Sequence, residues 1–94
     1  MTEKQTLATL RKGIDEIDCQ IVQLFEARME IAGRIADAKS TIGKPVFDEA
    51  REQVVLRKNA DRLQHQEWRD QLQSVLREMM KQSRTIQKRR MSEE

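Results

Sequence analysis

Residues 7–42, LATLRKGIDEIDCQIVQLFEARMEIAGRIADAKSTI, decide the fold. Leu7, Leu10, Ile14, Ile17, Ile21 and Leu24 recur at alternating spacings of three and four, and after Arg28 the series resumes with Ile31, Ile35, Ala38 and Ile42. That spacing puts the whole set on one stripe of a helix. Upstream, Thr2 and Gln5 have the separation of a capping box, and downstream Gly43 and Pro45 form a stop signal. The first helix is therefore expected over about residues 4–42. Gly13 and Gly33 lie inside it at a cost of ~1 kcal/mol each relative to alanine, so contacts from other elements must hold it there.

Beyond Pro45, Asp48 is a good N-cap, and the stretch to Leu63 has no Gly or Pro, which predicts a second helix over about 48–63. A polar break at Gln64–Gln66 separates it from a third pattern: Trp68, Leu72, Val75 or Leu76, Met79, Met80, Ser83 and Ile86. That predicts a third helix over about 67–88, followed by a charged tail, Arg89–Glu94, expected to fray. No strand signal or internal repeat is present. The expected fold class is all-α, one long helix and two shorter ones. At 1.5 Å per residue the first would be roughly 55–60 Å long and the others roughly 24 and 33 Å. Short loops make sequential helices antiparallel, so the second and third would cover only the C-terminal half of the first. A second chain is the economical cover for the rest, which gives an intertwined two-fold homodimer.

The composition agrees with that expectation. Ninety-four residues with 37% hydrophobic, 36% charged and 3% aromatic content make one small, polar domain, and a chain of this size buries only roughly 60–65% of its unfolded surface by itself. Lys and Arg number 18 against 16 acids, and the interleaving of the two signs argues against a nucleic-acid-binding face. The single Cys19 excludes an internal disulfide, and no Cys/His spacing resembles a zinc site, so a structural metal is not expected. MTEKQTLATLRKG lacks the apolar run of a signal peptide, and nowhere do about 18 apolar residues follow one another. The expectation is a cytoplasmic protein without a membrane partner.

Polar residues stand where the pattern calls for apolar ones. Arg28 interrupts the stripe of the first helix and there needs an anion, unless it sets a register or snorkels to water. Lys39 follows 11 residues later, within about 20° of the same direction and about 16 Å along the axis. Arg11 lies 17 residues before Arg28, roughly 25 Å away, too far to grip the same small anion from its own helix. In an intertwined dimer, Arg11 of one chain reaches the site of the other. Asp48, Arg51 and Glu52 share one helix face; alone they read as an N-cap with a surface ion pair. Ser83 breaks the stripe of the third helix, with Gln87 one turn on, and alone these read as a helix end meeting water. All three helices thus carry polar groups on or beside the face they should bury, which points to a buried, cation-rich pocket. Phe47 and Trp68 read as core or loop anchors, Met79 as core and His65 as exposed. Cys19 lies off the stripe, and Lys88, Arg89 and Arg90 suit a helix C-terminus.

The chain resembles the all-helical chorismate mutases. The likeness rests on the L-R-x-x-I-D-x-I-D-x-x-I pattern of Leu10–Ile21 with Arg28 beyond it, the A-x-x-K of Ala36–Lys39, KPVFDEAREQVVL over 44–56, and the S-x-x-x-Q of Ser83–Gln87. It covers nearly the whole chain. It implies a site of Arg28, Lys39, Asp48, Arg51, Glu52, Ser83 and Gln87, with Arg11 from the other subunit, that converts chorismate to prephenate without metal or cofactor. By this resemblance Arg11 and Arg28 would pair the substrate's carboxylates, and Lys39 and Gln87 would donate to its ether oxygen. Glu52, with Asp48, would accept from the ring hydroxyl, and Ser83 would donate to a carboxylate. Arg51 would order the site, with Ile35 and Met80 as apolar walls. Two features depart from the family: a short connection between the second and third helices, and Arg84, where relatives often carry an apolar residue. The competing readings are a lyase of the same fold that releases pyruvate from isochorismate, against which Glu52 argues, and a non-catalytic helical dimerisation module.

Overall fold

A computed structural model describes residues 1–92. All regular structure among them is helical: α1 spans Glu3–Thr41, α2 Glu49–Asp61 and α3 Arg69–Ser92, and a 3-10 turn at Gln66–Trp68 leads into α3. The chain divides into two compact units, Met1–Ile31 and Ala32–Glu94.

The first unit holds the N-terminal part of α1. Its start is a reciprocal capping box: the Thr2 amide donates to Gln5 Oε1 at 2.8 Å and the Gln5 amide to Thr2 Oγ1 at 3.1 Å. The stripe of Leu7, Leu10, Ile14, Ile17, Ile21 and Leu24 remains 47–69% exposed. A contiguous apolar run of this kind marks an interaction surface.

In the second unit, α1 ends as its sequence dictates. Gly43 adopts φ 70°, where a side chain would be strained, and lets the Lys44 amide reach Lys39 O at 2.8 Å while the Gly43 amide reaches Ser40 O at 3.3 Å. Asp48 then caps α2 by accepting from the Arg51 amide at 3.0 Å. The far end of α2 is closed by the Gln66 side chain, whose Nε2 donates to Ala60 O and Leu63 O at 2.9 and 2.7 Å. Two cross-helix contacts give the direction of α3: Glu52 meets Arg84, and Leu56 O accepts from Gln73, so the two helices run antiparallel. Against the end of α1 the order is the reverse. Ala32 accepts from Gln87 and Asp37 from Arg90, so α3 runs parallel to α1.

The core at this junction is thin. Ala36 and Ala60 are fully buried, Ala32 nearly so, and small side chains there let the helices approach. Leu56 and Met80 are the larger buried apolar side chains described in the second unit, worth about 1.5–3 kcal/mol each. Two polar side chains, Ser83 and Gln87, are buried with them.

The expectation of a frayed tail from Arg89 onward is corrected: α3 continues to Ser92. Tertiary chemistry extends it. Arg90 donates through Nε and Nη2 to the two carboxylate oxygens of Asp37, at 3.1 and 2.9 Å, and so ties the last turns of α3 to α1. Its guanidinium passes over Gly33, 3.4 Å from where a Cβ would stand, and supplies the contact that an internal glycine calls for. The rest of that expectation, at Glu93 and Glu94, lies outside the described residues.

Candidate active site

The second unit carries Lys39 at the end of α1, Asp48, Arg51 and Glu52 at the start of α2, and Ser83 and Gln87 on α3, each with its own contacts. Lys39 lies on the last turn of α1, half-buried, and its Nζ donates to Val46 O at 2.8 Å, fastening the connection between α1 and α2. An ammonium has three donors, so this contact leaves two for a ligand. Asp48 is exposed, with Oδ1 committed to the cap of α2, and the Arg51 side chain is exposed beside it.

Glu52 is half-buried one turn into α2. Its partner is Arg84 of α3 rather than the neighbouring Arg51: Arg84 Nη1 donates to both carboxylate oxygens, at 2.6 Å to Oε1. The Arg84 guanidinium also lies over the Phe47 ring, 5.2 Å from its centroid. Phe47 therefore serves as a loop anchor. Nothing local to residues 48–52 could have revealed this pairing, because the cation comes from a helix 32 residues away along the chain.

On α3, Ser83 and Gln87 are both 7% exposed. The Ser83 hydroxyl donates to Met79 O at 3.0 Å, the usual back-bond of a serine inside a helix, so donation from Ser83 to a ligand requires that proton to turn. Gln87 Nε2 donates to Ala32 O at 3.0 Å across to α1. A primary amide has two N–H groups. The bond to Ala32 uses one, fixes the amide plane and leaves the second as a held donor. Ile35 is partly exposed and Met80 buried. Arg11 and Arg28 lie in the first unit, Arg11 exposed and Arg28 half-buried on α1.

Such a set is suited to anions and to neutral oxygen acceptors: one half-buried ammonium, one fixed amide donor, and one carboxylate held by its own guanidinium. It has the composition of a site that binds and polarises. Residues 10–88 match the family described as chorismate mutase type II. The chain belongs to that family. It is 42% identical over 55 residues to a chorismate mutase of Methanocaldococcus jannaschii, covering 58% of this chain and 54% of that protein. It is also 31% identical over 86 residues to the T-protein of Haemophilus influenzae, covering 88% of this chain and 22% of that protein. The chain thus spans about half the length of one curated relative and about a fifth of the other. No solved structure matches it with significance. Among the described residues, no helix is long and apolar enough to cross a membrane.

Among chorismate mutase type II proteins, the feature of this chain that sequence reading left without a role is Arg84. It stands beside Ser83 and off the apolar stripe, so helical spacing gave it no role.

Proposed function

We propose that the chain is a chorismate mutase, an isomerase that rearranges chorismate to prephenate in the route to phenylalanine and tyrosine. The observation that carries this reading is the extent of the family match, which runs from residue 10 to residue 88 and takes in every proposed site residue from Arg11 to Gln87. In this rearrangement the ether C–O bond breaks as the methylene of the enolpyruvyl arm bonds to the ring, in one concerted step with no proton to transfer. The protein's task is to hold the arm folded over the ring and to meet negative charge as it grows on the ether oxygen. Lys39 and the second N–H of Gln87 are the donors to that oxygen. Glu52, supported by Asp48, accepts from the ring hydroxyl; Ser83 turns towards a carboxylate, Arg51 orders the neighbouring acids, and Ile35 and Met80 flank the ring. Arg28 takes one carboxylate as a planar fork.

The second carboxylate falls to Arg11 of another copy. This reading makes the active protein a cytoplasmic, intertwined homodimer. It is supported by the apolar stripe of the first unit, which is 47–69% exposed in the single chain and has the seven-residue repeat by which two helices wrap each other.

The test is to supply purified protein with chorismate, follow loss of its ultraviolet absorbance, and identify products by NMR, then to repeat with isochorismate. Prephenate from chorismate, with no pyruvate from isochorismate, is the expected result. Pyruvate from isochorismate alone would assign the lyase reaction instead, and inertness towards both would reduce the chain to a binding module.

A further inference from the structure

Among the described residues two other ion pairs cross between helices, Asp37 with Arg90 and Asp61 with Arg69 (side chains 61% and 34% exposed), and the pair between Glu52 and Arg84 stands apart from both. Its side chains are 22% and 26% exposed, against 40% and 52% for Asp37 and Arg90, so solvent screens it less. Its geometry also differs. Arg90 meets Asp37 as a fork, through two nitrogens, whereas Arg84 places one nitrogen, Nη1, between both oxygens of Glu52. That position fixes the direction in which the carboxylate points. Both oxygens keep lone pairs on the sides away from Arg84. The guanidinium is itself braced by the Phe47 ring, and the residue before Phe47 is held by Lys39 through the Val46 carbonyl. One chain of contacts thus runs from Lys39 through the α1–α2 connection and Arg84 to Glu52.

We propose that Arg84 is a positioning residue for the reaction: braced on Phe47, it aims the Glu52 carboxylate at the substrate's ring hydroxyl and balances its charge in a site that must take a dianion. This rests on the function proposed above. A carboxylate is a good acceptor for a hydroxyl, but an uncompensated one repels a doubly charged substrate in the ground state and transition state alike. Arg84 offsets that repulsion through Glu52, on which its Nη1 is engaged. An apolar residue at 84 would leave Glu52 half-buried and without its cation.

A double-mutant cycle on kcat/KM tests this, with circular dichroism and thermal melts on every variant. Arg84→Met should lower kcat/KM about ten-fold, mainly through KM, because the lost interaction affects ground and transition states equally. Arg84→Lys should recover part of the loss by keeping the charge. In a Glu52→Gln background the aiming of the carboxylate is lost but the attraction of the guanidinium for the dianion persists, so Arg84→Met should cost clearly less than in wild type, about two- to three-fold. Phe47→Leu removes the brace but leaves the charge, so it serves if Arg84→Met folds poorly. It should give a smaller loss of the same kind, also reduced by Glu52→Gln. Equal losses in both backgrounds would mean that Arg84 contacts substrate itself or acts through the fold, and would overturn the proposal. So would an unchanged KM in a folded Arg84→Met protein. A wild type inert towards chorismate would fail the functional reading and this inference with it, whereas an active wild type indifferent to residue 84 would overturn this inference alone.

Discussion

Replacing Lys39 with alanine is expected to lower turnover by at least 10²–10³-fold, the loss that follows removal of one preorganised donor to a developing oxyanion. Lys39 exceeds a neutral donor because its ammonium also supplies charge where charge accumulates. The benefit is realised mainly in the transition state, so kcat should fall more than KM rises. Lys39 has a second role in the structure, since its Nζ holds Val46 O at 2.8 Å and with it the connection into α2. Lys39→Gln separates the two roles by retaining an N–H donor while deleting the charge. Both variants are expected to lose turnover, Lys39→Ala the more, while Lys39→Gln keeps the wild-type melting temperature. Steady-state kinetics on protein verified as folded decides the matter, and a Lys39→Ala enzyme within ten-fold of wild type would remove Lys39 from the chemistry.

A change at Gln87 should be as large and more diagnostic. The amide is buried and donates to Ala32 O at 3.0 Å. In Gln87→Glu the new carboxyl has a donor only when protonated, and its ionised form would sit, buried, against a carbonyl oxygen. Both conditions favour the neutral form and push its pKa upward. Near pH 8 the variant should therefore show a turnover loss on the order of 10²–10³, recovering as the pH falls through the pKa of the new group. The linkage has the same sign. The folded state holds the proton more tightly than the unfolded one, so the variant's stability is greatest below the unfolded carboxyl's pKa and declines as the pH rises towards the folded value. Melting curves at each pH therefore accompany the kinetics, and activity is expressed per folded protein. Wild type should show no such recovery in acid. Full activity of folded Gln87→Glu at pH 8 would contradict the donor role of Gln87.

The parts of the structure that were legible in the sequence are those governed by local chemistry. Thr2 and Gln5 close a capping box, Gly43 takes the left-handed turn that ends α1, and Asp48 caps α2; each depends only on residues a few places away. Ser83 and Gln87 betrayed themselves as polar groups on an apolar stripe, and both are buried. What escaped depended on distant partners. The extension of α3 through Arg90 relies on Asp37, and the cation on Glu52 is selected by the register of α2 against α3, which no local spacing encodes. Arg51, three residues from Asp48 and next to Glu52, looked like the natural partner. In the structure its amide serves the cap, while Arg84 reaches Glu52. The stripe of Leu7 to Leu24 was equally legible as apolar, and it stands exposed in the single chain, where the proposed second copy would cover it.

That cover carries the central claim, a mutase site completed by a second copy of the chain. Complementation tests it most directly. Arg11→Ala and Arg28→Ala homodimers should each be nearly inactive, having lost one of the two carboxylate ligands at every site. After mixing and verified subunit exchange, each heterodimer regains one intact site, with Arg28 from one chain and Arg11 from the other. At equal proportions about a quarter of wild-type activity should return. Exchange confirmed by mass spectrometry with no recovery of activity would contradict the shared site.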